Sequence, residues 1–366
     1  MRVYVPPYYK DFRCIGGACS YNCCIGWEID IDEDTLARYE KMDGAMGKRI
    51  RESIDKSGDV CHFRLVSGER CPHLNDQNLC NIITECGEGA LCEICREHPR
   101  YYVTLGELRE VGVGLACPEG ARLVLSNDDF SVERTEDAEG EATPCDENTL
   151  YVLKALRWKI FSMLQGMPLD LLIAFILDHS RYTVEYTAGD ISCGARGRDE
   201  IDPEFFLPVS KSVYDDVAES DLSRTAEVYL SLDMLYEGFR DEMKRAFELA
   251  VFKRGFFKPS CFEFLDYLYG DGDRYYRRLL YYFLHRYMLE GAVDGEWDIR
   301  IRHAVLSAYL TVAIGYLRGG AKENVISAAI DYSQNIEYCE ENLEKVIYSI
   351  DEDGYLPPLW VGQMFE

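Results

Sequence analysis

The chain has 366 residues, 47% hydrophobic and 28% charged, enough to bury a core of its own without disulfide staples. Its formal charge of −26 offers no basic face to nucleic acid or to an anionic membrane, so neither is expected as a partner. No signal-like apolar run follows Met1, and the longest weakly polar stretch, Ala304 to Tyr316, is too short to span a bilayer, so a cytoplasmic protein is expected.

Residues 1–125 are rich in Cys, Gly and Pro, with short elements between. Asp32 to Glu40 predicts a brief helix, with an acidic first turn and with Leu36 and Tyr39 at helical spacing. Val111 to Leu115 predicts a strand or an extended arm reaching Cys117. Residues 126–148 turn acidic and lose their large apolar side chains, which predicts a solvated linker or surface loop and the best boundary in the chain.

Residues 149–366 switch to helical period. Leu150, Leu153, Leu156, Ile160 and Leu164 predict a helix ended or kinked by Pro168. Leu169 to Asp178 reads as a buried helix, and Val228 to Ala250 as one long amphipathic helix. Similar patterns cover Arg274 to Leu289, Asp298 to Leu317 and Asn324 to Ile347, while Gly189 to Ser223 reads as a long irregular connection. The expected fold is mostly α: a small cysteine-rich, metal-binding N-terminal region packed on a helical body.

Of the 15 cysteines, eleven fall between Cys14 and Cys117. A disulfide scaffold would want a secretory signal, so clustered thiols at short spacing read first as metal ligands. The first group is Cys14-x4-Cys19-x3-Cys23-Cys24, in which Gly16, Gly17 and Gly26 allow tight turns around an ion. The second is Cys71-Pro72-His73-Leu74, Cys80, and Cys92-x2-Cys95, with Cys117-Pro118 after it. Two residues between Cys92 and Cys95 let both sulfurs face one ion. Cys61 and Cys86 lie outside the tight spacings and read as ordinary thiols, and His62, His73 and His98 read as capping or surface side chains before ligands. Spacing leaves zinc and iron–sulfur open, since both accept four cysteines. Nine thiols allow two sites, or one site and spare redox-active sulfurs.

The order Cys-x4-Cys-x3-Cys-Cys-x2-Trp, Cys-Pro-x-Leu, Leu91-Cys92-Glu93-Ile94-Cys95-Arg96 with Pro99-Arg100, and Cys117-Pro118-Glu119 resembles the flagellin lysine N-methylase family over residues 8 to 125. It is similar more broadly to cysteine-rich proteins described as zinc- or iron-chelating. Fainter likeness continues at Leu279 to Tyr287 and at Tyr332 to Glu337. The resemblance implies methyl transfer from S-adenosylmethionine to lysine amines of a protein such as flagellin. It also implies an iron–sulfur cluster, 4Fe-4S in kind, with ligands drawn from Cys14, Cys19, Cys23, Cys24, Cys71, Cys80, Cys92, Cys95 and Cys117.

No glycine-rich turn follows a strand in a βαβ context, so a Rossmann-type methyltransferase is not expected. Trp27, Arg96 and Arg100 sit beside the cysteine motifs. They are candidates for holding S-adenosylmethionine, the tryptophan by stacking and the arginines by gripping its carboxylate. No catalytic residue stands out. Two other functions fit the residues: an iron–sulfur redox protein, and a zinc-stabilised protein-binding module.

Overall fold

The computed structural model describes residues 1–19, 21–27, 29–189, 223–250 and 259–353. The chain opens on strand β1 (Arg2–Val5) and runs through the cysteine loops, which carry two adjacent helices, α1 (Glu33–Lys41) and α2 (Gly44–Ser53). The short pair β2 (Ile54–Asp55) and β3 (His62–Phe63) follows, then α3 (Asn81–Cys86) and α4 (Glu93–Glu97). Strands β4 (Arg100–Leu105) and β5 (Leu108–Val113) form a hairpin whose two-residue turn places Gly106 at φ 54°, a conformation glycine adopts without strain. After α5 (Pro118–Val124), β6 (Glu133–Arg134) completes a four-stranded sheet of order β4-β5-β1-β6. Val111 to Leu115 is therefore mostly strand. β1 runs parallel to β5 and antiparallel to β6. The acidic segment 126–148 lies along the sheet: Ala138 O accepts from the Met1 amine at 2.7 Å, and Gly106 bridges Thr143.

The body comprises α6 (Glu147–Met163), α7 (Leu169–Gly189), α8 (Ser223–Ser231), α9 (Glu237–Ala250), α10 (Pro259–Tyr269), α11 (Asp273–Tyr287), a short α12 (Gly291–Asp294), α13 (Trp297–Leu317), α14 (Lys322–Tyr332) and α15 (Glu340–Asp353). The fold is mostly helical, as expected. Helix α13 is buried continuously from Ile301 to Gly315, and α7, α9, α11, α14 and α15 pack around it. That explains a sequence apolar on every face. Among the described residues no helix is long and apolar enough to cross a membrane.

Two helices expected as continuous are broken. Val228 to Ala250 divides between Ser231 and Glu237, where Asn335 Oδ1 accepts from Leu235 N at 2.8 Å. Asn324 to Ile347 is interrupted by a π-turn over Ser333–Glu337 before α15 begins. Periodicity counts apolar residues but does not register one extra residue in a turn. The connection expected from Gly189 to Ser223 falls, apart from those end residues, outside the described residues.

One large core joins the inner face of the sheet (Tyr101, Val103, Leu105, Leu108, Val113) to the helices. A second, small core of Ile29, Ile31, Tyr39, Met46, Ile50, Phe63 and Ile82 underlies the cysteine loops. The large core encloses His285 and His303, and burial lowers their pKa values to about 4 and about 3. Unfolding returns both to about 6.5, so the unfolded chain binds more protons below that value. Stability should therefore fall as pH drops from about 6.5 towards 4, by on the order of 3 kcal/mol for each histidine. Urea midpoints measured across this window should show the slope, and His303→Leu should flatten it.

Candidate metal centre

Asp32 organises the base of the cysteine region. Its Oδ1 accepts from Thr35 N at the start of α1 and its Oδ2 from Glu93 N at the start of α4, both at 2.8 Å. This fixes the helix that bears Cys95 against the first helix of the chain and satisfies backbone donors at both N-termini. Cys71 and Cys80 flank a tight loop in which Asn75 Oδ1 accepts from Gln77 N and Leu79 N. Cys71 N donates to Cys24 O at 2.7 Å, binding that loop to the Cys23-Cys24 pair. Gly16, at φ 53°, turns the backbone between Cys14 and Cys19.

These loops bring the nine cysteines singled out by sequence into one another's electrostatic field. Cys14 and Cys23 act on Cys19, and Cys19 and Cys23 act on Cys117. Cys71 and Cys80 act on Cys24, Cys80 and Cys92 on Cys71, and Cys24 and Cys71 on Cys95. All nine are free thiols. Cys61 packs on the small core, as Cys24, Cys71, Cys80, Cys92 and Cys95 also do, and Cys86 lies exposed at the end of α3.

The thiols are held in a common way. Cys71 receives backbone N–H from His73 and Leu74, Cys80 from Ile82 and Ile83, and Cys117 from Glu119 and Gly120. Cys92 receives one from Cys95. Such donors stabilise a thiolate. Burial outweighs them at three of the four sites, pushing Cys71 and Cys117 up to about 11 and Cys80 upwards as well. Two adjacent pairs behave differently. A hydrogen bond from Cys24 lowers Cys23 to about 7 while Cys24 is raised, and a hydrogen bond from Cys95 lowers Cys92 while Cys95 is raised. Each proton retained allows its neighbour to ionise.

The donor chemistry suits a thiophilic metal group: soft ligands, backbone N–H aimed at sulfur, and mutual repulsion that a cation would relieve. Among the described residues, no three His, Cys, Asp or Glu side chains are grouped so as to hold a metal ion as placed. His73 is turned to structural use, with Nε2 2.9 Å from Ser53 Oγ and its ring edge-on to Phe63.

The other sequence candidates border this region. Trp27 is half-buried, its ring edge-on to Tyr338 with centroids 5.9 Å apart. Arg96 is exposed and pairs with Glu97 at 2.9 Å. Arg100 lies 5.3 Å from the Phe12 ring centroid and donates to Arg96 O.

Residues from the C-terminal half complete the surroundings. Gln334 Nε2 donates to Ala116 O at 3.4 Å, and Tyr338 OH to Pro99 O at 3.2 Å, so the π-turn docks beside Cys117. Gly114 leaves room for the Tyr338 ring; a Cβ there would stand 2.3 Å from its hydroxyl oxygen. Glu337, buried in the π-turn, accepts from Tyr282 and Tyr287 and pairs with Arg286 at 3.2 Å. The Arg286 guanidinium also lies over the rings of Tyr101, Tyr287 and Tyr338. The helical readings of Arg274 to Leu289 and Asn324 to Ile347 did not bring Arg286 and Glu337 together, because no local spacing marks a pairing between two separate segments.

Comparison with known proteins now bears on the chain. Over 130 residues it is 31% identical to the flagellar biosynthetic protein FliU of Salmonella muenchen, covering 34% of this chain and 77% of that protein. The chain belongs to the FliU family. Two proteins named lysine-N-methylase, from Salmonella choleraesuis and Salmonella typhimurium, are each 29% identical over 130 residues, and the match spans 32% of their length. Over about a third of its length the chain is thus similar to proteins named for flagellar biosynthesis and for lysine N-methylation. No family model matches, and no solved structure matches.

Proposed function

We propose that this protein transfers methyl groups from S-adenosylmethionine to lysine side chains of a protein substrate, flagellin or one like it, and that ligands drawn from nine of its cysteines hold an iron–sulfur cluster of the 4Fe-4S kind. Two features support this reading: the mutual electrostatic influence of nine free thiols next to the Trp27–Tyr338–Arg286 node, and the similarity of a third of the chain to proteins named lysine-N-methylase.

The ligands would come from Cys14, Cys19, Cys23, Cys24, Cys71, Cys80, Cys92, Cys95 and Cys117. When bound, a cluster with one iron left without a cysteine ligand would supply a Lewis-acidic position for anchoring small polar groups. The chain's own residues do the rest. Trp27 would offer its ring to the sulfonium or adenine, and Arg96 and Arg100 their guanidiniums to the carboxylate of the donor. Each arginine would exchange its present partner, Glu97 or Arg96 O, for that carboxylate. The acceptor amine must lose a proton from a normal pKa of about 10.4 and align with the methyl carbon.

The test is incubation of anaerobically purified protein with methyl-labelled S-adenosylmethionine and flagellin, followed by peptide mapping. Label on lysine supports the reading. Protein replete in iron that labels no lysine would sink it and favour the redox alternative; colourless protein with stoichiometric zinc would favour the binding module.

A further inference from the structure

Beyond the cysteines, a cavity of about 320 Å³ opens between β4, the end of α11 and the first turns of α15. Its walls include Tyr101, Tyr102 and Val103 from β4, and Arg286 and Tyr287 from α11. Glu290, Arg300, Glu340, Leu343, Glu344 and Ile347 complete it.

Both guanidiniums in the wall are already neutralised. Arg286 pairs with Glu337, and Arg300 bridges Glu290 at 2.6 Å and Asp294 at 2.5 Å. Glu340 and Glu344 are exposed at the mouth and form no hydrogen bond or ion pair among the described residues. The cavity therefore presents uncompensated negative charge. The three tyrosine hydroxyls are occupied as well: Tyr101 OH meets His285 Nδ1 at 2.9 Å, Tyr102 OH donates to Glu97 at 2.5 Å, and Tyr287 OH donates to Glu337 at 2.9 Å. Arg286 already lies over the Tyr101 and Tyr287 rings, so the aromatic surface left to a ligand is that of the exposed Tyr102, beside aliphatic surface from Val103, Leu343 and Ile347.

Aromatic and aliphatic walls under a carboxylate rim select an occupant with an apolar stem and a cationic tip. An anion would meet guanidiniums whose charge is spent, and would have to pass Glu340 and Glu344. We propose that this cavity is the docking site for a lysine side chain of the protein substrate. Its methylenes lie along Val103, Leu343 and Ile347, and its ammonium rests between the Tyr102 face and the carboxylates of Glu340 and Glu344. This deepens the methyltransferase reading and rests on it. The cavity shares Arg286 with the contact to Tyr338, whose other neighbours include Cys117.

The experiment is a binding measurement that needs no methyl transfer. A short peptide with one lysine among alanines and glycines, and its norleucine counterpart, are titrated into the full-length, metal-replete protein. The lysine peptide should bind at least tenfold more tightly, and the difference should shrink with added salt. Glu340→Gln/Glu344→Gln should erase most of that difference, and Glu344→Lys should weaken lysine-peptide binding more than tenfold. Unchanged visible absorption and thermal midpoint would show that these exposed positions leave the fold intact. Equal binding of the two peptides, or full discrimination by the double variant, would overturn the cavity as a lysine site. If lysine selectivity and its loss in the variants are seen but no methyl transfer occurs, the cavity proposal stands and the methyltransferase reading falls. If methylation occurs and the double variant keeps the wild-type KM for the protein acceptor, the cavity proposal falls alone.

Discussion

Cys80→Ser is expected to lose at least half of the bound iron and to lower methyl transfer more than about 100-fold, since removing a ligand should exceed the 10–100-fold cost of disturbing an outer-shell partner. Cys80 stands immediately before α3, its sulfur facing the N–H groups of Ile82 and Ile83 and within the field of Cys23 and Cys92. Serine preserves the shape and the backbone contacts but offers a hard, protonated oxygen where a soft thiolate is wanted. The control is Cys86→Ser, at the exposed end of the same helix, which should retain wild-type iron and activity. Iron, acid-labile sulfide and visible absorption, measured on protein prepared without oxygen, decide between them. Wild-type iron in Cys80→Ser would remove that residue from the ligand set. Metal removal from the intact protein should also lower the thermal midpoint, because the loops have only a small core beneath them.

The second large effect is expected far from the cysteines. Glu110 on β5 and Arg157 on α6 are both buried, with Arg157 donating to both oxygens of the carboxylate, one of these bonds at 2.6 Å. Burial pushes the Glu110 carboxyl up, but the guanidinium prevails and holds it below its ordinary value. The pair joins the inner face of the sheet to the helical body. Glu110→Gln strands the guanidinium in the core and should cost about 3–5 kcal/mol, whereas Glu110→Leu/Arg157→Met should recover most of that loss. Urea denaturation of the three proteins makes the comparison. A small loss in Glu110→Gln would mean that water or another group reaches Arg157.

Much of this architecture is legible in the sequence because it follows from local rules. Asp32 to Glu40, with its acidic first turn, announces a helix, as does the spacing from Leu150 to Leu164. Spacing alone set nine cysteines apart from Cys61 and Cys86, and in the structure those nine influence one another electrostatically, although no three side chains are grouped to hold a metal as placed among the described residues. What escaped was long-range. β6 is two residues long in an acidic stretch, and it is strand because β1 offers it an edge. The breaks at Leu232 and Ser333 depend on Asn335 reaching Leu235, a contact between residues 100 apart in sequence. Arg286, Glu290, Glu337 and Glu340 carry no motif, so their common site emerges only when α11, the turn after it and α15 are brought side by side.

The docking of the π-turn onto the cysteine loops also orders events in time. Gln334 and Tyr338 meet backbone carbonyls 218 and 239 residues earlier in the chain. A ribosome adding 5–20 residues per second needs roughly 10–50 seconds to cover that interval. Throughout it the thiols have emerged while the segment that closes over Pro99 and Ala116 has not yet been made. If the thiols hold the proposed cluster, its insertion would have a window of open access during synthesis, and so would oxygen. Slow translation between residues 117 and 334 would lengthen both, and metal supply during synthesis would then set how much active protein a cell obtains.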